Sequence, residues 1–192
     1  LVLSHAHSDH SQAILSLASK MPIKNLLLNP NTSSPHIDTI KRILPTDTQL
    51  NASTNHSSQL DECKLDILHA PTTNDNDSMV LKLTSNNYSA LFAGDIEQVH
   101  EQMLIGKLGK SNILKVPHHG SKTSTSEAFL REVRPNIAII SCGTNNKFGH
   151  PNNEVLDRLN KHNTKVWRTD LSGRIMLNLK PEGIVVNPYM NN

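Results

Sequence analysis

The chain has 192 residues, and 19 basic side chains stand against 17 acidic ones for a net charge of +2. One domain with a core of packed layers fits that length, and the near balance of charge leaves any recognition of phosphate to local groups. No run of about 18 apolar residues occurs, and no basic segment leads into an apolar one, which excludes a bilayer-spanning helix or a signal peptide within these residues.

The opening Leu1-Val2-Leu3 reads as a strand, and His5-Ala6-His7-Ser8-Asp9-His10 follows it. A start in mid-strand, without an initiator methionine, reads as an N-terminally truncated fragment. Imidazole and carboxylate suit Zn²⁺ and comparable first-row metals. Strand alternation places His5 and His7 on one face and turns Asp9 and His10 toward a second position. One segment can therefore seed two metal sites.

Residues 11–20 carry Ile14, Leu15, Leu17 and Ala18 at helical spacing, and the apolar run 23–28 ends in Asn29-Pro30-Asn31. Residues 33–44 repeat the helical pattern through Ile37, Ile40 and Ile43, closed by Pro45. Residues 49–61 form a polar middle. Strands are expected at 64–68, 79–84 and 88–93, the last two joined by the hairpin-type connection Ser85-Asn86-Asn87. Between the first two lies a polar loop at 71–77. Helix and strand then alternate: helix 97–108, strand 113–116, helix 124–133, strand 137–141, helix 153–162, strand 165–168. Ser124 and Glu127 have the spacing of a capping box. Strands at 174–179 and 184–187 close the chain. Helices outside sheets is the economical architecture, with residues 1–192 as a single α/β domain.

Cys63 and Cys142 lie far apart outside any CxxC pattern, so they suggest neither a disulfide framework nor a thiolate zinc site. Both read as small apolar residues, Cys142 following the run Ile137-Ala138-Ile139-Ile140.

The other metal-capable residues follow apolar runs and precede turns, where strand ends deliver side chains to a common edge. Leu91-Phe92-Ala93-Gly94-Asp95 brings a carboxylate, which can bridge two cations where a neutral imidazole cannot; helix capping is its structural alternative. Ile113-Leu114-Lys115-Val116-Pro117 delivers His118 and His119, with Gly120 allowing close approach of the backbone. The run ending at Cys142 leads on to His150. His5, His7, Asp9, His10, Asp95, one of His118 and His119, and His150 together can hold two divalent ions, Zn²⁺ or Mn²⁺. We take His118 as the ligand and leave His119 for proton transfer. Such a pair of ions, about 3.5–4 Å apart, would use a bridging hydroxide as nucleophile and require no nucleophilic side chain. His69 also ends a strand but reads equally as a packing residue, whereas His36, His56, His100 and His162 fall in helices or polar loops.

HxHxDH, the later Gly-Asp and the final histidines resemble the metallo-β-lactamase superfamily. The blocks Asn76-Asp77-Ser78-Met79-Val80-Leu81, Phe92-Ala93-Gly94-Asp95-Ile96-Glu97, Leu114-Lys115-Val116-Pro117-His118-His119-Gly120-Ser121-Lys122 and Gly149-His150-Pro151, with Thr169-Asp170 and Gly173, are similar to the C-terminal domain of ComEC-type DNA-uptake proteins. The resemblance implies an αββα sandwich with metals at one edge of two facing sheets, and phosphodiesterase or nuclease action on DNA. His5, His7, Asp9, His10, Asp95, the His118-His119 pair and His150 fall on that family's metal motif. Two departures stand out. Ser11-Gln12 replaces the family's glycines after the DH, and the strands that precede the motif in the family are absent.

The leading expectation is a dinuclear phosphodiesterase acting on DNA during uptake, with Asp9 holding or deprotonating the water and His119 serving the leaving oxygen. Lys122 and Lys147 are candidate phosphate contacts. Few aromatics leave single-strand binding to lean on charge. The same cage also serves phosphorylcholine-ester, lactone and thioester hydrolysis, and a third reading is a non-catalytic module that binds DNA or a partner. A membrane channel in the same parent chain would tether the domain to a bacterial inner membrane; without one it would be a cytoplasmic enzyme.

Overall fold

Residues 1–28, 35–43, 49–51, 57–69 and 78–189 are described by the computed structural model of the chain. Helix α1 (Ser8–Ala18), strand β1 (Leu26–Leu28), helix α2 (Pro35–Ile43) and strand β2 (Gln49–Asn51) come first. The two strands pair in parallel, and Val2 adds a parallel bridge to Leu27 on the other side of β1. This gives a narrow first sheet.

The second sheet is wide. Strands β3 (Ser57–Leu60), β4 (Cys63–His69), β5 (Val80–Ser85), β6 (Tyr88–Phe92), β7 (Ile113–Lys115), β8 (Ile137–Ile140) and β9 (Lys165–Arg168) lie side by side in chain order. The pairs from β3 to β6 are antiparallel, and Asp61 and Asn86 take positive φ in the tight turns that join β3 to β4 and β5 to β6. Those from β6 to β9 are parallel, so each connection must cross a face of the sheet. Helices α3 (Gln98–Leu104), α4 (Glu127–Val133) and α5 (Asn153–Lys161) provide the three crossovers. A short helix α6 (Thr169–Ser172) leads into the antiparallel ribbon β10 (Arg174–Lys180) and β11 (Gly183–Tyr189).

Three buried clusters order these elements into layers. Leu26 and Leu28 pack with Ile14, Ile37 and Ile40 of the first two helices, whereas Leu27, between them, packs with Ile67, Met79 and Leu81 of the wide sheet. That alternation is what a strand buried on both faces requires. On the far side, Leu91, Leu114, Ala138 and Ile140 meet Leu104, Phe129, Leu130, Val155 and Leu159. The order helix, sheet, sheet, helix is the expected αββα arrangement, and each buried Leu, Ile or Phe contributes about 1.5–3 kcal/mol to holding it.

Several expected boundaries shift. Helix α1 takes in Ser8, Asp9 and His10, so the histidine motif runs into the helix instead of ending in a separate turn. The polar middle holds two short strands, because β3 completes an antiparallel edge against β4. Helix α4 is capped by Ser126, whose hydroxyl accepts from Phe129 N at 3.2 Å, while Ser124 turns inward to donate to the carbonyls of Pro117 and Ser121. The turn at 29–31, the polar loop at 71–77, His56 and the side chain of His36 lie outside the described residues.

Candidate metal centre

The histidine arm is fixed at both ends. Backbone bonds from Leu3 N to Leu27 O and from Leu27 N to Leu1 O hold residues 1–3 against the narrow sheet. The His7 carbonyl then accepts from the amides of His10 and Ser11, at 3.0 and 2.9 Å, and starts α1. Asp9 stands in the first turn, where a carboxylate suits the positive end of the helix. Ser11 takes the place of the expected glycine without an orphaned group: it is fully buried and its hydroxyl donates to Ala6 O.

Hydroxyls and one carbonyl orient the rings. His5 Nδ1 lies 3.1 Å from Ser78 Oγ and 3.2 Å from Ser4 Oγ, and His10 Nδ1 lies 3.3 Å from the same Ser4 Oγ. His119 Nδ1 donates to the Ser141 carbonyl at 2.6 Å. A ring whose Nδ1 carries the hydrogen presents a lone pair at Nε2, the arrangement that prepares an imidazole for a metal. Ser78 also accepts from Asp95 N at 2.9 Å, so one buried hydroxyl ties two strand ends together. Gly94 permits this contact, since a Cβ there would stand 2.4 Å from Ser78 Cβ, and its φ is +55°.

Two groups of side chains converge on Asp95. His5, His7 and Asp95 form one; Asp9, His10, Asp95 and His119 form the other. In the second, His10 Nε2 lies 3.3 Å from Asp95 Oδ2 and 3.4 Å from His119 Nε2, which is itself 3.3 Å from Asp9 Oδ2. Donors held 2.0–2.1 Å from a tetrahedral ion stand roughly 3.3 Å apart, so these spacings fit ligands around a cation. In the first group His5 Nε2 is 3.8 Å from Asp95 Oδ2. Both His5 Nε2 and Asp95 Oδ1 are buried with no hydrogen-bond partner among the described residues, a cost that a bound metal would remove.

The charges at His5 and Asp95 agree with that fit, while at His119 an ion would have to displace a proton. Burial, reinforced by the His10 charge, lowers the His5 pKa to about 4, so the ring is neutral at physiological pH. Burial opposes the Asp95 carboxylate, but hydrogen bonds from His10 and His119 and the charge of Lys115 hold its pKa well below the usual range. Hydrogen bonding to Asp95 raises the His119 pKa against the effect of burial. Lys115, at the end of β7, escaped the sequence reading. Its Nζ is buried, has no hydrogen-bond partner among the described residues, and lies 3.9 Å from Asp95 Oδ1, opposite the histidines.

The histidine pair sits in a strained loop. His118 and His119 both adopt left-handed backbone, with φ of 48° and 52°, conformations that cost of order 1–3 kcal/mol each and persist only where surroundings impose them. His118 N donates to Gly94 O at 3.1 Å, locking this loop to the Asp95 turn. Gly120 packs on Pro151, where a Cβ would come within 2.7 Å of the proline Cβ. Beneath lies Glu101, fully buried, which accepts from the amides of Thr125 and Ser126. Arg158 closes the other side by donating to the carbonyls of Ser124 and Thr125. Burial raises the Glu101 pKa despite those partners.

The strain separates the two histidines. His119, expected to stand free, is the one grouped with Asp9, His10 and Asp95; His118, expected as a ligand, instead places Nδ1 3.4 Å from Glu97 Oε1. His150 stays outside both groups, with its ring 5.9 Å from that of His118 and burial lowering its pKa. Lys122 is exposed beside Glu97, Gln98 and Thr123, away from the convergence, whereas Lys147 lies over the Phe148 ring. His69 and His100 approach each other at 6.3 Å between ring centroids, and His162 pairs with Glu127 at 2.8 Å. Cys142 is only partly buried; its thiol donates to Asp170, which also takes Arg168, and burial pushes its pKa up to about 11. Thr169 clasps Cys142 through both backbone groups, which accounts structurally for the Thr-Asp pair of the resemblance.

Three openings reach the convergence. A cleft of about 420 Å³ is lined by Asp9, His119, Ser141, Cys142, Gly143, Asn146, Phe148 and His150. A smaller one, about 300 Å³, exposes His7, Asp95, Glu97, His100 and His118. A third, mostly apolar groove of about 350 Å³ runs along Val2, Leu65, Leu83 and Phe92 and meets the convergence at His10 and Lys115.

A layered fold with this constellation at the strand ends defines a class, and comparison with known families agrees: residues 1–144 match the metallo-β-lactamase superfamily. The chain belongs to that superfamily, and its sequence relatives are proteins of the ComEC type. It is 31% identical over 198 residues to ComE operon protein 3 of Bacillus subtilis, covering 94% of this chain and 24% of that protein. Against competence protein ComA of Neisseria gonorrhoeae the identity is 38% over 110 residues, covering 56% of this chain and 16% of that protein. The chain thus spans at most a quarter of these relatives. Among solved structures, the diiron β-hydroxylase CmlA of Streptomyces venezuelae superposes with a TM-score of 0.60 at 11% identity, covering 88% of this chain and 43% of that one. That likeness concerns the fold alone. Among the described residues no helix is long and apolar enough to cross a membrane.

Proposed function

We propose that the domain is a dinuclear metal-dependent phosphodiesterase acting on DNA, in a protein of DNA uptake. The observation that carries this reading is the shared carboxylate: Asp95 belongs to both groups of ligand-capable side chains and lines one opening, while Asp9 and His119 of the second group line the larger cleft. His5, His7 and Asp95 would hold one Zn²⁺ or Mn²⁺, and Asp9, His10, Asp95 and His119 the other. Bound there, such ions supply Lewis acidity toward a phosphoryl oxygen and bring the pKa of a coordinated water from 15.7 toward about 7. The DNA context comes from a relative that carries competence in its name, and a membrane channel elsewhere in the parent chain would place the domain beside incoming strands.

The side chains divide the remaining work. Asp9, 58% exposed at the cleft, receives the proton of the attacking water. As the new phosphorus–oxygen bond forms and the ester bond breaks, His118, whose Nδ1 lies 3.4 Å from Glu97 Oε1, gives its proton to the departing oxygen. Lys115 places positive charge 3.9 Å from Asp95 Oδ1, while Asp95 Oδ2 faces the histidines. Lys147, at the rim, meets a neighbouring phosphate.

Purified protein loaded with Mn²⁺ or Zn²⁺ should cleave single-stranded DNA, with activity falling steeply as salt rises, and Asp95→Ala should abolish it. Cleavage that survives Asp95→Ala contradicts the reading. So does turnover confined to lactones or thioesters.

A further inference from the structure

Phe148 is the most exposed large apolar side chain among the described residues, at 69%. Scattered exposed apolar residues are ordinary on protein surfaces. This one is held in place. Asn146 donates through Nδ2 to the carbonyls of Gly143 and His150, at 3.0 and 2.7 Å, and accepts from His150 N at 2.9 Å. Asn145 and Gly149 take positive φ, 55° and 66°, so the chain turns sharply on either side of the clasp. The loop therefore presents Phe148 from a rigid frame.

Its position also matters. The Phe148 ring stacks on His150 at an interplanar angle of 18°, with centroids 5.8 Å apart, and forms the wall of the same cleft that contains Asp9 and His119. Lys147 Nζ lies 5.0 Å from the ring centroid. A flat apolar surface, a cation beside it and ligand-capable side chains lining the same cleft match three parts of a nucleotide: base, adjoining phosphate and scissile phosphate. The cleft, at about 420 Å³, falls within the roughly 300–1,000 Å³ common for small-molecule sites.

We propose that Phe148 is the stacking platform for a nucleobase next to the scissile phosphate, with Lys147 on the adjoining phosphate. The inference rests on the phosphodiesterase reading and narrows it. A base inside a duplex keeps its faces against its neighbours, so the platform selects single-stranded or unstacked nucleic acid. It is tolerant of sequence, because every base has a face to stack. The small aromatic content of the chain pointed to binding by charge alone; one well-placed ring changes that expectation.

The test compares the wild type, Phe148→Ala and Phe148→Trp, all metal-loaded, on an oligothymidylate and on the same strand with abasic tetrahydrofuran sites. Phe148→Ala should lower kcat/KM on the base-bearing strand about 5- to 150-fold, chiefly through KM, with Phe148→Trp near wild type; that range corresponds to the value of stacking one base. On the abasic strand the wild type should already be poor, and Phe148→Ala should cost nothing more. Equal activity of wild type and Phe148→Ala on the oligothymidylate, or an equal loss on both strands, overturns the platform and leaves the phosphodiesterase reading standing. A wild type that cleaves and binds neither strand but hydrolyses a small ester overturns the reading, and the platform with it. Equilibrium binding of both strands, measured in parallel, carries the same comparison independently of turnover.

Discussion

The histidine arm at residues 5–10 and the histidine loop at 117–126 deliver side chains to one centre by opposite means. The arm relies on local geometry: a strand end, the start of a helix, and a spacing that sorts His5 and His7 from Asp9 and His10 with no unusual backbone. The loop relies on its surroundings. Two consecutive left-handed histidines are held by Gly94, by a buried glutamate and by an arginine more than thirty residues away. Local geometry can be read from sequence; imposed geometry has to be seen.

The contrast can be broken from the loop side first, where the largest effect is expected. Glu101→Ala removes the acceptor of two buried amides and one of the two carboxylates near Arg158, with Glu154 remaining 3.8 Å away. Loss of one partner from a buried charged network costs about 3–5 kcal/mol, and urea unfolding should show a loss of that order. Because the loop carries His119, metal affinity should fall as well. A stability change below about 1 kcal/mol, within the range of ordinary surface substitutions, would mean that the loop holds its shape unaided.

Ser78→Ala probes the junction between the two regions and should have a smaller effect. It removes the hydroxyl shared by His5 Nδ1 and Asp95 N but leaves every ligand-capable group in place. Loss of such an orienting partner weakens metal binding about 10- to 100-fold, which titration calorimetry with Zn²⁺ or Mn²⁺ would measure. Unchanged affinity would show that Ser4 orients His5 by itself.

Much of the fold was legible. The alternation of apolar runs located most strands of the wide sheet, since buried parallel strands read as continuous apolar stretches. The short edge strand Ser57–Leu60 was not, because its residues are mostly polar and mostly exposed, and pairing with its neighbour is what makes it a strand. At the centre, HxHxDH and Gly-Asp were visible as motifs. Which of His118 and His119 faces Asp95 was not, because the choice depends on two positive φ angles with no residue-type signature. Lys115, Ser78 and Glu101 were hidden for a related reason: each looks like an ordinary strand, loop or helix residue until its buried polar atom is placed. Lys115 carried one faint signal, a charge at the end of an otherwise apolar strand.

We propose that Asp95 serves two ions, the second completed by His119 and not by His118. Metal content per chain, measured by elemental analysis after gel filtration in Zn²⁺ or Mn²⁺, tests it most directly. Two ions per wild-type chain are expected, one for each group. His119→Gln should lower that content and Asp95→Ala should lower it further, while His118→Gln leaves it unchanged. A single ion in the wild type, or loss in His118→Gln with full retention in His119→Gln, would contradict the account.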